Sequence, residues 1–150
     1  MAFQIRRASA ADLRTVAELF DGYRQFYGQP ADYSLAEAFL RDRFANGDSV
    51  VFLAVDAGSG AGLGFVQLYP SFSSVAARRI WILNDLFVAA AARRRGVGRA
   101  LLDAARDHAL ATGAKRLVLS TAATNREARA LYEAYGYKQD DVFLAYKLEL

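Results

Sequence analysis

The segment at residues 81–102, WILNDLFVAAAARRRGVGRALL, decides the fold of this chain of 150 residues. An apolar run rich in β-branched and aromatic residues ends at Val88, and the basic turn at residues 93–98 leads into an amphipathic helix pattern. A helix start offers free backbone N–H groups and a partial positive charge, and glycines let a ligand approach the backbone closely. The sequence therefore predicts a strand, a basic turn and a helix N-terminus that bind a phosphate or diphosphate.

The spacing of the glycines distinguishes between the known kinds of phosphate site. A P-loop needs Lys followed by Ser or Thr after its last glycine, and this turn has no such pair. A dinucleotide-binding turn needs a third glycine, and residues 99–101 contain none. The pattern that is present is R-x-x-G-x-G, formed by Arg93, Gly96 and Gly98.

This pattern resembles the acetyl-coenzyme A signature of the GNAT superfamily of N-acetyltransferases. The segment at residues 124–137, TNREARALYEAYGY, is similar to the second GNAT motif. In that motif an Asn opens a helix, a Tyr follows seven residues later, and a Gly-aromatic pair ends it; here these are Asn125, Tyr132 and Gly136-Tyr137. The resemblance covers the whole chain, because the N-terminal half shows the expected order of elements.

The pattern of the chain predicts eleven elements in the order βααβββαβαββ. The resemblance implies an α/β (α+β) GNAT fold in a single domain, residues 1–150, with a mixed, mostly antiparallel sheet of about seven strands flanked by four helices. Ser9 with Asp12 and Ser34 with Glu37 form capping-box patterns. The predicted strands are residues 3–7, 50–55, 64–69, 79–88, 116–120, Tyr137 and 142–148, and the predicted helices are 10–23, 35–44, 98–112 and 126–135.

Composition excludes several classes of protein. The chain has no Cys and one His, which excludes disulfides and a thiol nucleophile and argues against a metal site. No apolar run approaches the roughly 18 residues of a membrane span, and charges interrupt the N-terminal segment. We therefore expect a cytoplasmic protein without membrane contact. The formal net charge of +3 includes the arginine run, which leaves a nucleic-acid surface as an alternative, although the chain lacks helix-turn-helix and RNP patterns.

The resemblance implies which residues hold acetyl-coenzyme A. Backbone groups at the end of the fourth strand pair with the pantetheine arm, the amides of the basic turn hold the diphosphate, and the start of the last helix adds polar contacts. The predicted cofactor-binding residues are Leu86, Phe87, Val88, Arg93, Arg94, Arg95, Gly96, Val97, Gly98, Arg99, Asn125, Ala128 and Tyr132. Asn125 also suits the N-cap of the last helix.

Acetyl transfer to an amine needs a base for the amine and an acid for the departing thiolate. Tyr132 is the predicted general acid by resemblance, and its alternative is a core aromatic. Many relatives carry an acidic residue at one of the two positions where this chain has Asn84-Asp85. Asp85 can accept a proton directly or through water, whereas Asn84 can only orient a water. The alternative role of Asp85 is an ion pair that fixes the sheet. Because successive strand residues point to opposite faces, we expect one of the pair to face the cleft. With no Cys, direct attack in a ternary complex is expected.

The acceptor pocket of such enzymes is built by the first two helices and the loop before the fourth strand. The matching residues are mostly aromatic, which suits a small cationic amine. The segment at residues 23–27 and the run LNDLFV at residues 83–88 show some likeness to diamine and polyamine acetyltransferases. An amino acid, an antibiotic, a protein N-terminus, or a noncatalytic acyl-coenzyme A-binding module are the alternatives. Residues 143–148 offer an interface for a homodimer. The predicted acceptor residues are Phe26, Tyr27, Tyr69 and Asn84, with Tyr33 and Phe72 nearby.

Overall fold

The fold is described from a computed structural model that covers residues 2–150. The chain divides into two compact units, the first ending at Ser120 and the second spanning Thr121–Leu150. The first unit holds the sheet and three helices, and the second holds one helix. The α/β class and the four helices predicted from the sequence are confirmed.

The first unit contains five strands and three α-helices, and the second contains the fourth helix. The strand predicted at residues 64–69 and the helix predicted at residues 35–44 are longer than expected, and the strand predicted at residues 116–120 is shorter. The strands are β1 Phe3–Arg7, β2 Val50–Asp56, β3 Gly62–Ser73, β4 Arg78–Val88 and β5 Leu117–Val118, and the helices are α1 Leu13–Phe26, α2 Tyr33–Asn46, α3 Val97–Ala111 and α4 Arg126–Tyr135.

The five strands form one sheet in the order β1-β2-β3-β4-β5. The first four strands pair antiparallel, and β5 pairs parallel to β4 at Trp81↔Leu117 and Ile82↔Val118. The sheet is therefore mixed and mostly antiparallel, as predicted. The predicted number of about seven strands is wrong, because Tyr137 and residues 142–148 form no strand in the described part of the chain.

Residues 142–150 keep the alternating apolar pattern that underlies the prediction of a closing strand. Six large apolar side chains in this segment are exposed. The alternation is present, but a strand also needs a partner, which a pattern alone does not supply. The exposed side chains are Val142, Phe143, Leu144, Tyr146, Leu148 and Leu150.

The start of the first helical segment matches its capping prediction, and the start of α2 does not. The Asp12 carboxylate accepts a hydrogen bond from the Ser9 backbone N–H at 3.0 Å. Helix α2 begins at Tyr33 with Asp32 as N-cap, whose side chain accepts from the Leu35 N–H at 3.1 Å. Asp32 precedes the predicted Ser34 cap and competes successfully because an aspartate is among the best N-cap residues.

Helices pack on both faces of the sheet. On one face, α1 and α2 bury Val16, Phe20 and Leu40 against Leu53 and Phe65. On the other face, α3 packs against the strands, and it buries the side chains of Leu101, Leu102 and Ala105. The strands β3 and β4 therefore lie between the two layers of helices.

A β-bulge interrupts β4 at the centre of this sheet. Gln67 pairs with Asp85 while its neighbour Leu68 pairs with Leu83, so Asn84 is the extra residue. A bulge of this kind redirects side chains and bends the strand. It sets the geometry of the candidate site.

Candidate active site

The bulge gives Asn84 and Asp85 opposite environments. Asp85 shares a face of the sheet with Phe87, whose ring contacts Tyr23 of α1, because side chains two residues apart on a strand point the same way. The Asp85 side chain is buried and Asn84 is exposed. The two residues therefore differ in exposure as well as in chemistry.

Two amide groups hold the Asp85 carboxylate. Gln67 donates from Nε2 to Oδ2 at 2.7 Å, and Asn84 donates from Nδ2 to Oδ1 at 3.0 Å. Gln67 lies opposite Asp85 on β3 and is itself fully buried. Each carboxylate oxygen thus has one donor, and each keeps acceptor capacity for another proton.

Two tyrosines, from α1 and from β3, lie near this part of the bulge. Tyr23 of α1 donates its hydroxyl hydrogen to the Asn84 carbonyl oxygen at 3.5 Å. Burial raises the pKa of Tyr69 to about 12, and the nearby Asp85 charge contributes in the same direction. The Tyr69 phenol therefore stays protonated at neutral pH and can act as a hydrogen-bond donor near Asp85.

A series of aromatic rings extends from Tyr23, which is bonded to the bulge, to the surface. Tyr23 contacts Phe65, Phe87 and Tyr27, and the Tyr23–Tyr27 ring centroids are 5.0 Å apart. Tyr27 in turn meets Phe26 edge to face at 5.3 Å, and both of these rings are exposed. The predicted acceptor residues Phe26 and Tyr27 are therefore linked to the bulge through Tyr23.

The other aromatic residues singled out for the acceptor pocket lie in different settings. Phe72 is exposed and lies under the Arg79 guanidinium, 5.0 Å from ring centroid to Cζ. A hydrogen bond with Glu37 is the main cause that raises the pKa of Tyr33. Tyr69 differs from these two residues, because the Asp85 charge contributes to its raised pKa.

The end of β4 presents an open edge. Pairing with β5 ends at Ile82, while β4 continues to Val88, and in residues 2–150 no further strand lies on that side. On the other side, Leu86, Phe87 and Val88 pair with residues 64–66 of β3. An unpaired strand edge accepts an extended chain with amide groups, which is the chemistry of a pantetheine arm.

The basic turn has the backbone geometry that a diphosphate needs. Gly96 is the N-cap of α3 with φ of +81°, and a Cβ built there would meet no atom within 4 Å. The first helical bond of α3 joins the Ala100 N–H to the Gly96 carbonyl, so the amides of Val97, Gly98 and Arg99 precede it. The Val97 side chain is buried, and only its backbone can face a ligand. The turn therefore fits acetyl-coenzyme A.

The three arginines of this turn, and Arg99 of α3 beside it, differ in their contacts. Arg93 donates from Nε to the Val88 carbonyl at 3.3 Å, which ties the turn to the end of β4. Arg95 approaches Asp56 at 3.9 Å and is partly buried. Arg94 and Arg99 are exposed, and Arg94 adopts a positive φ of 63°, which is unusual for a residue with a side chain.

The second unit contains the remaining predicted residues. Asn125 is the N-cap of α4, and its side chain accepts from the Ala128 N–H at 3.2 Å. Tyr132 is buried, with its ring 5.8 Å from the Tyr137 ring in an edge-to-face contact. Burial raises the pKa of Tyr137 to about 12. The capping role of Asn125 is thus confirmed, and the roles of Asn125 and Tyr132 in binding and catalysis stay predictions.

Sequence reasoning missed Gln67. This residue interrupts an otherwise apolar strand, GLGFVQLY at residues 62–69, and a polar residue inside such a run is the signal that was available. Its partner could not be identified from the pattern, because the bulge at Asn84 changes which β4 residue lies opposite.

A cavity of about 390 Å³ lies on the other side of the sheet, away from the bulge. It is lined by β1, β2 and α3, and His108 forms part of its wall. The His108 ring packs on Trp81 and Phe52. None of the predicted site residues lines this cavity.

Comparison with known proteins identifies the family. The model of the Acetyltransferase (GNAT) family matches residues 13–137. The chain is 49% identical over 146 residues to the Bacillus subtilis protein named "Uncharacterized N-acetyltransferase YhfO", with 97% of each chain covered. It is 33% identical to a "Probable acetyltransferase" of Haemophilus influenzae, with 96% of each covered.

A solved structure agrees with these sequence relatives. The crystal structure of a probable acetyltransferase matches with a TM-score of 0.93 and 40% identity, covering 98% of this chain and 97% of that one. The chain belongs to the GNAT family of acetyltransferases. It is an N-acetyltransferase, and acetyl-coenzyme A is its acetyl donor. No helix among residues 2–150 is long and apolar enough to span a membrane.

Proposed function

We propose that this N-acetyltransferase acts in the cytoplasm, as one domain, on the primary amine of a small cationic molecule of the diamine or polyamine type. The observation that carries the proposal is the buried Asp85 carboxylate at the β4 bulge, held by two amide donors, with the Tyr23 hydroxyl bonded to the neighbouring Asn84 carbonyl. A carboxylate and aromatic faces together attract an alkylammonium group. The same arrangement supplies a base where the amine must lose its proton.

Asp85 takes the role of base in this proposal. An alkylamine has a pKa of about 10, so at neutral pH its ammonium form must lose a proton before the nitrogen can attack. Asp85 accepts that proton, directly or through one water that Asn84 orients. Tyr69, which stays protonated, and the Tyr23 ring help to place the amine.

Bound acetyl-coenzyme A supplies the acetyl group as a thioester, and the amine nitrogen forms the new C–N bond as the C–S bond breaks. Tyr132 gives a proton to the departing sulfur, the acylated nitrogen releases its second proton to solvent, and solvent returns a proton to the Tyr132 phenol. The backbone of Leu86, Phe87 and Val88 aligns the pantetheine arm, and the amides of the basic turn, with Arg93, Arg94, Arg95 and Arg99, hold the diphosphate. Positioning of both substrates in one complex accounts for most of the rate.

The experiment that tests this function measures thiol release from acetyl-coenzyme A with a panel of amines, against a baseline without acceptor. The panel contains diamines, polyamines, amino acids, aminoglycosides and short peptides. Release that is confined to the diamines and polyamines is the expected result. Release confined to another group would reject the proposed acceptor and leave the acetyltransferase activity intact.

We also propose that two copies of the chain associate through residues 142–150. Every second side chain from Val142 to Leu150 is apolar and exposed, and we call these five side chains the apolar row. Two copies of this row match each other when they pair antiparallel about Tyr146. In that register Leu144 of one copy faces Leu148 of the other, and Lys147 faces Ala145. The row consists of Val142, Leu144, Tyr146, Leu148 and Leu150.

The absence of cysteine from the sequence allows a clean test of this association. A Tyr146→Cys variant should form a disulfide-linked dimer on mild oxidation, because the introduced thiols of the two copies would face each other across the two-fold axis. Val75→Cys is the matched control, since Val75 is fully exposed in the loop between β3 and β4. Equal cross-linking of both variants, or a monomer by light scattering, would contradict the proposed dimer.

A further inference from the structure

Gln67 is a fully buried amide in the middle of a sheet. Its neighbours Val66 and Leu68 are also fully buried and apolar. A buried amide costs free energy unless its donors and acceptors are paired, and the Gln67 Oε1 has no hydrogen-bond partner among residues 2–150. Packing alone would favour an apolar side chain at this position, so the amide requires a functional explanation.

The Gln67 amide is directed at the Asp85 carboxylate. Its Nε2 lies 2.7 Å from Asp85 Oδ2, at the short end of the usual range for such bonds. An ionised carboxylate only accepts hydrogen bonds, so an amide nitrogen facing it is the arrangement that the charged form requires. The pairing therefore favours the form of Asp85 that can accept a proton.

The two oxygens of Asp85 have unlike surroundings. Oδ2 is held from the buried side by Gln67, which has no exposed surface. Oδ1 accepts from Asn84, the exposed residue of the bulge. The hydrogen-bond partner of Oδ1 is therefore a side chain that solvent or a substrate can reach, whereas the partner of Oδ2 is not.

We propose that Gln67 is a positioning residue that anchors Oδ2 of Asp85, so that Oδ1 is the oxygen that takes the proton from the amine. This inference rests on the proposed role of Asp85 as base. The groups that face the carboxylate are Gln67 and Tyr69 from β3 and Asn84 from β4, while Tyr23 from α1 contacts the Asn84 carbonyl. Of these groups, Gln67 alone is fully buried and bonded to the carboxylate.

A Gln67→Met variant tests the anchor, because methionine keeps the length of the side chain and removes the amide. A positioned base contributes about 10²–10⁴-fold to a rate, and loss of its anchor should lower kcat by about ten- to a hundredfold. The acidic limb of the pH–rate profile should move to higher pH, since the charged carboxylate loses a donor. The KM for acetyl-coenzyme A should not change.

A Gln67→Glu variant gives a second test with nearly the same shape. It places two carboxyl groups within hydrogen-bond distance, and such a pair shares a proton. The acidic limb should move further than in Gln67→Met, and activity should recover as the pH is raised. If the role of Gln67 were only structural, both substitutions would lower the melting temperature of the protein and leave the pH–rate profile unchanged.

Two controls test whether the effects come from the hydrogen bond between Gln67 and Asp85. Gln4→Met makes the same chemical change on the exposed strand β1 and should leave kcat and the pH profile unchanged. In an Asp85→Asn background, Gln67→Met should cause no further loss of rate, because the group that it positions is already absent. Additive losses would overturn the proposal.

A measurement that does not depend on turnover separates this inference from the proposed function. The carboxyl ¹³C resonance of Asp85, assigned by its loss in Asp85→Asn, should titrate at higher pH in Gln67→Met than in the wild type. An unmoved titration would overturn the anchoring role of Gln67 alone. If the Asp85 resonance titrates at higher pH in Gln67→Met but the Asp85→Asn variant is fully active, the proposed base is wrong, and so is the positioning role of Gln67.

Discussion

The chemistry at the bulge depends on single residues with distinct environments. Asp85 and Asn84 are neighbours in sequence, yet the first is buried against the amide of Gln67 and the second is exposed. Tyr69 lies close enough to Asp85 for the carboxylate charge to contribute to its raised pKa. The division of roles at this site therefore follows from burial and hydrogen bonding, in addition to residue type.

Tyr69 should act as a hydrogen-bond donor to the acceptor and take no part in proton transfer. Burial, followed by the Asp85 charge, raises its pKa to about 12, so the phenol stays protonated over the working range of the enzyme. Tyr69→Phe should raise the KM for the amine several-fold and leave the shape of the pH–rate profile unchanged. Steady-state kinetics between about pH 6 and the pKa of the amine, about 10, measures both quantities.

Tyr146→Phe is the control for this prediction, because it removes a hydroxyl from an exposed ring in the second unit. It should change neither the KM for the amine nor the pH profile. Loss of the alkaline or acidic limb in Tyr69→Phe would show that the phenol titrates during turnover and would contradict its role as a donor alone.

Residue identities at the site could be predicted only in part. The sequence indicated Asp85 and Tyr69, because acidic and aromatic residues stand where the resemblance places a base and a pocket. It did not indicate Gln67 as their partner, since the bulge shifts the register between β3 and β4 by one residue. A shift of one residue moves side chains to the other face, and no local pattern reports it.

At the scale of elements, the strand edge and the helix start of the candidate site follow each other closely along the chain. Strand β4 ends at Val88, and α3 begins at Val97 after the basic turn. The bond from Arg93 to the Val88 carbonyl ties the turn to the strand. These elements were predicted nearly in full, because their apolar periodicity and glycines are strong local signals.

Gly96→Glu should weaken the binding of acetyl-coenzyme A by at least about tenfold. The new side chain adds negative charge and bulk at the N-terminus of α3, where the diphosphate is expected, and the positive φ of 81° adds backbone strain. Calorimetric titration with coenzyme A measures the loss directly.

Gly113→Glu provides the matched control at the other end of α3. Gly113 also has a positive φ, 71°, with no atom within 4 Å of a built Cβ, so the strain and the added charge are comparable. It should lose at least as much stability as Gly96→Glu, because a negative charge is unfavourable at a helix C-terminus, and it should retain normal affinity. Equal loss of affinity in the two variants would remove the diphosphate from the basic turn.

The whole molecule contains one histidine, and its environment makes stability depend on pH. Burial lowers the pKa of His108, and the charges of Arg7 and Arg79 lower it further. The unfolded chain therefore takes up a proton near about pH 6.5 while the folded chain does not, and the free energy of unfolding decreases as the pH falls below this value.

His108→Phe should remove this dependence. The phenyl ring keeps the contacts with Trp81 and Phe52 and does not titrate. Urea unfolding at about one pH unit above, at and below the ordinary histidine pKa of about 6.5 should show a decrease in stability for the wild type and a smaller decrease for the variant. Parallel decreases in both proteins would show that His108 titrates alike in the folded and unfolded chain.

The closing part of the chain shows where prediction at this scale fails. The pattern of residues 142–148 is that of a strand, and the sequence predicts one, but the segment pairs with no strand in the described residues. Strand formation at an edge depends on a long-range partner, within the chain or in another copy, and alternation in the sequence does not specify it. The proposed dimer supplies one such partner.

The role of Asp85 as the base that prepares an amine for acetyl transfer is central to the proposed mechanism. The most direct measurement is the pH dependence of kcat/KM for the best amine of the panel, in the wild type and in Asp85→Asn, with Asp107→Asn as a control on the exposed surface of α3. We predict a rate about 10²–10⁴-fold lower for Asp85→Asn at neutral pH, without the acidic limb of the wild type. An unchanged rate and profile would contradict this role and assign the proton to another group.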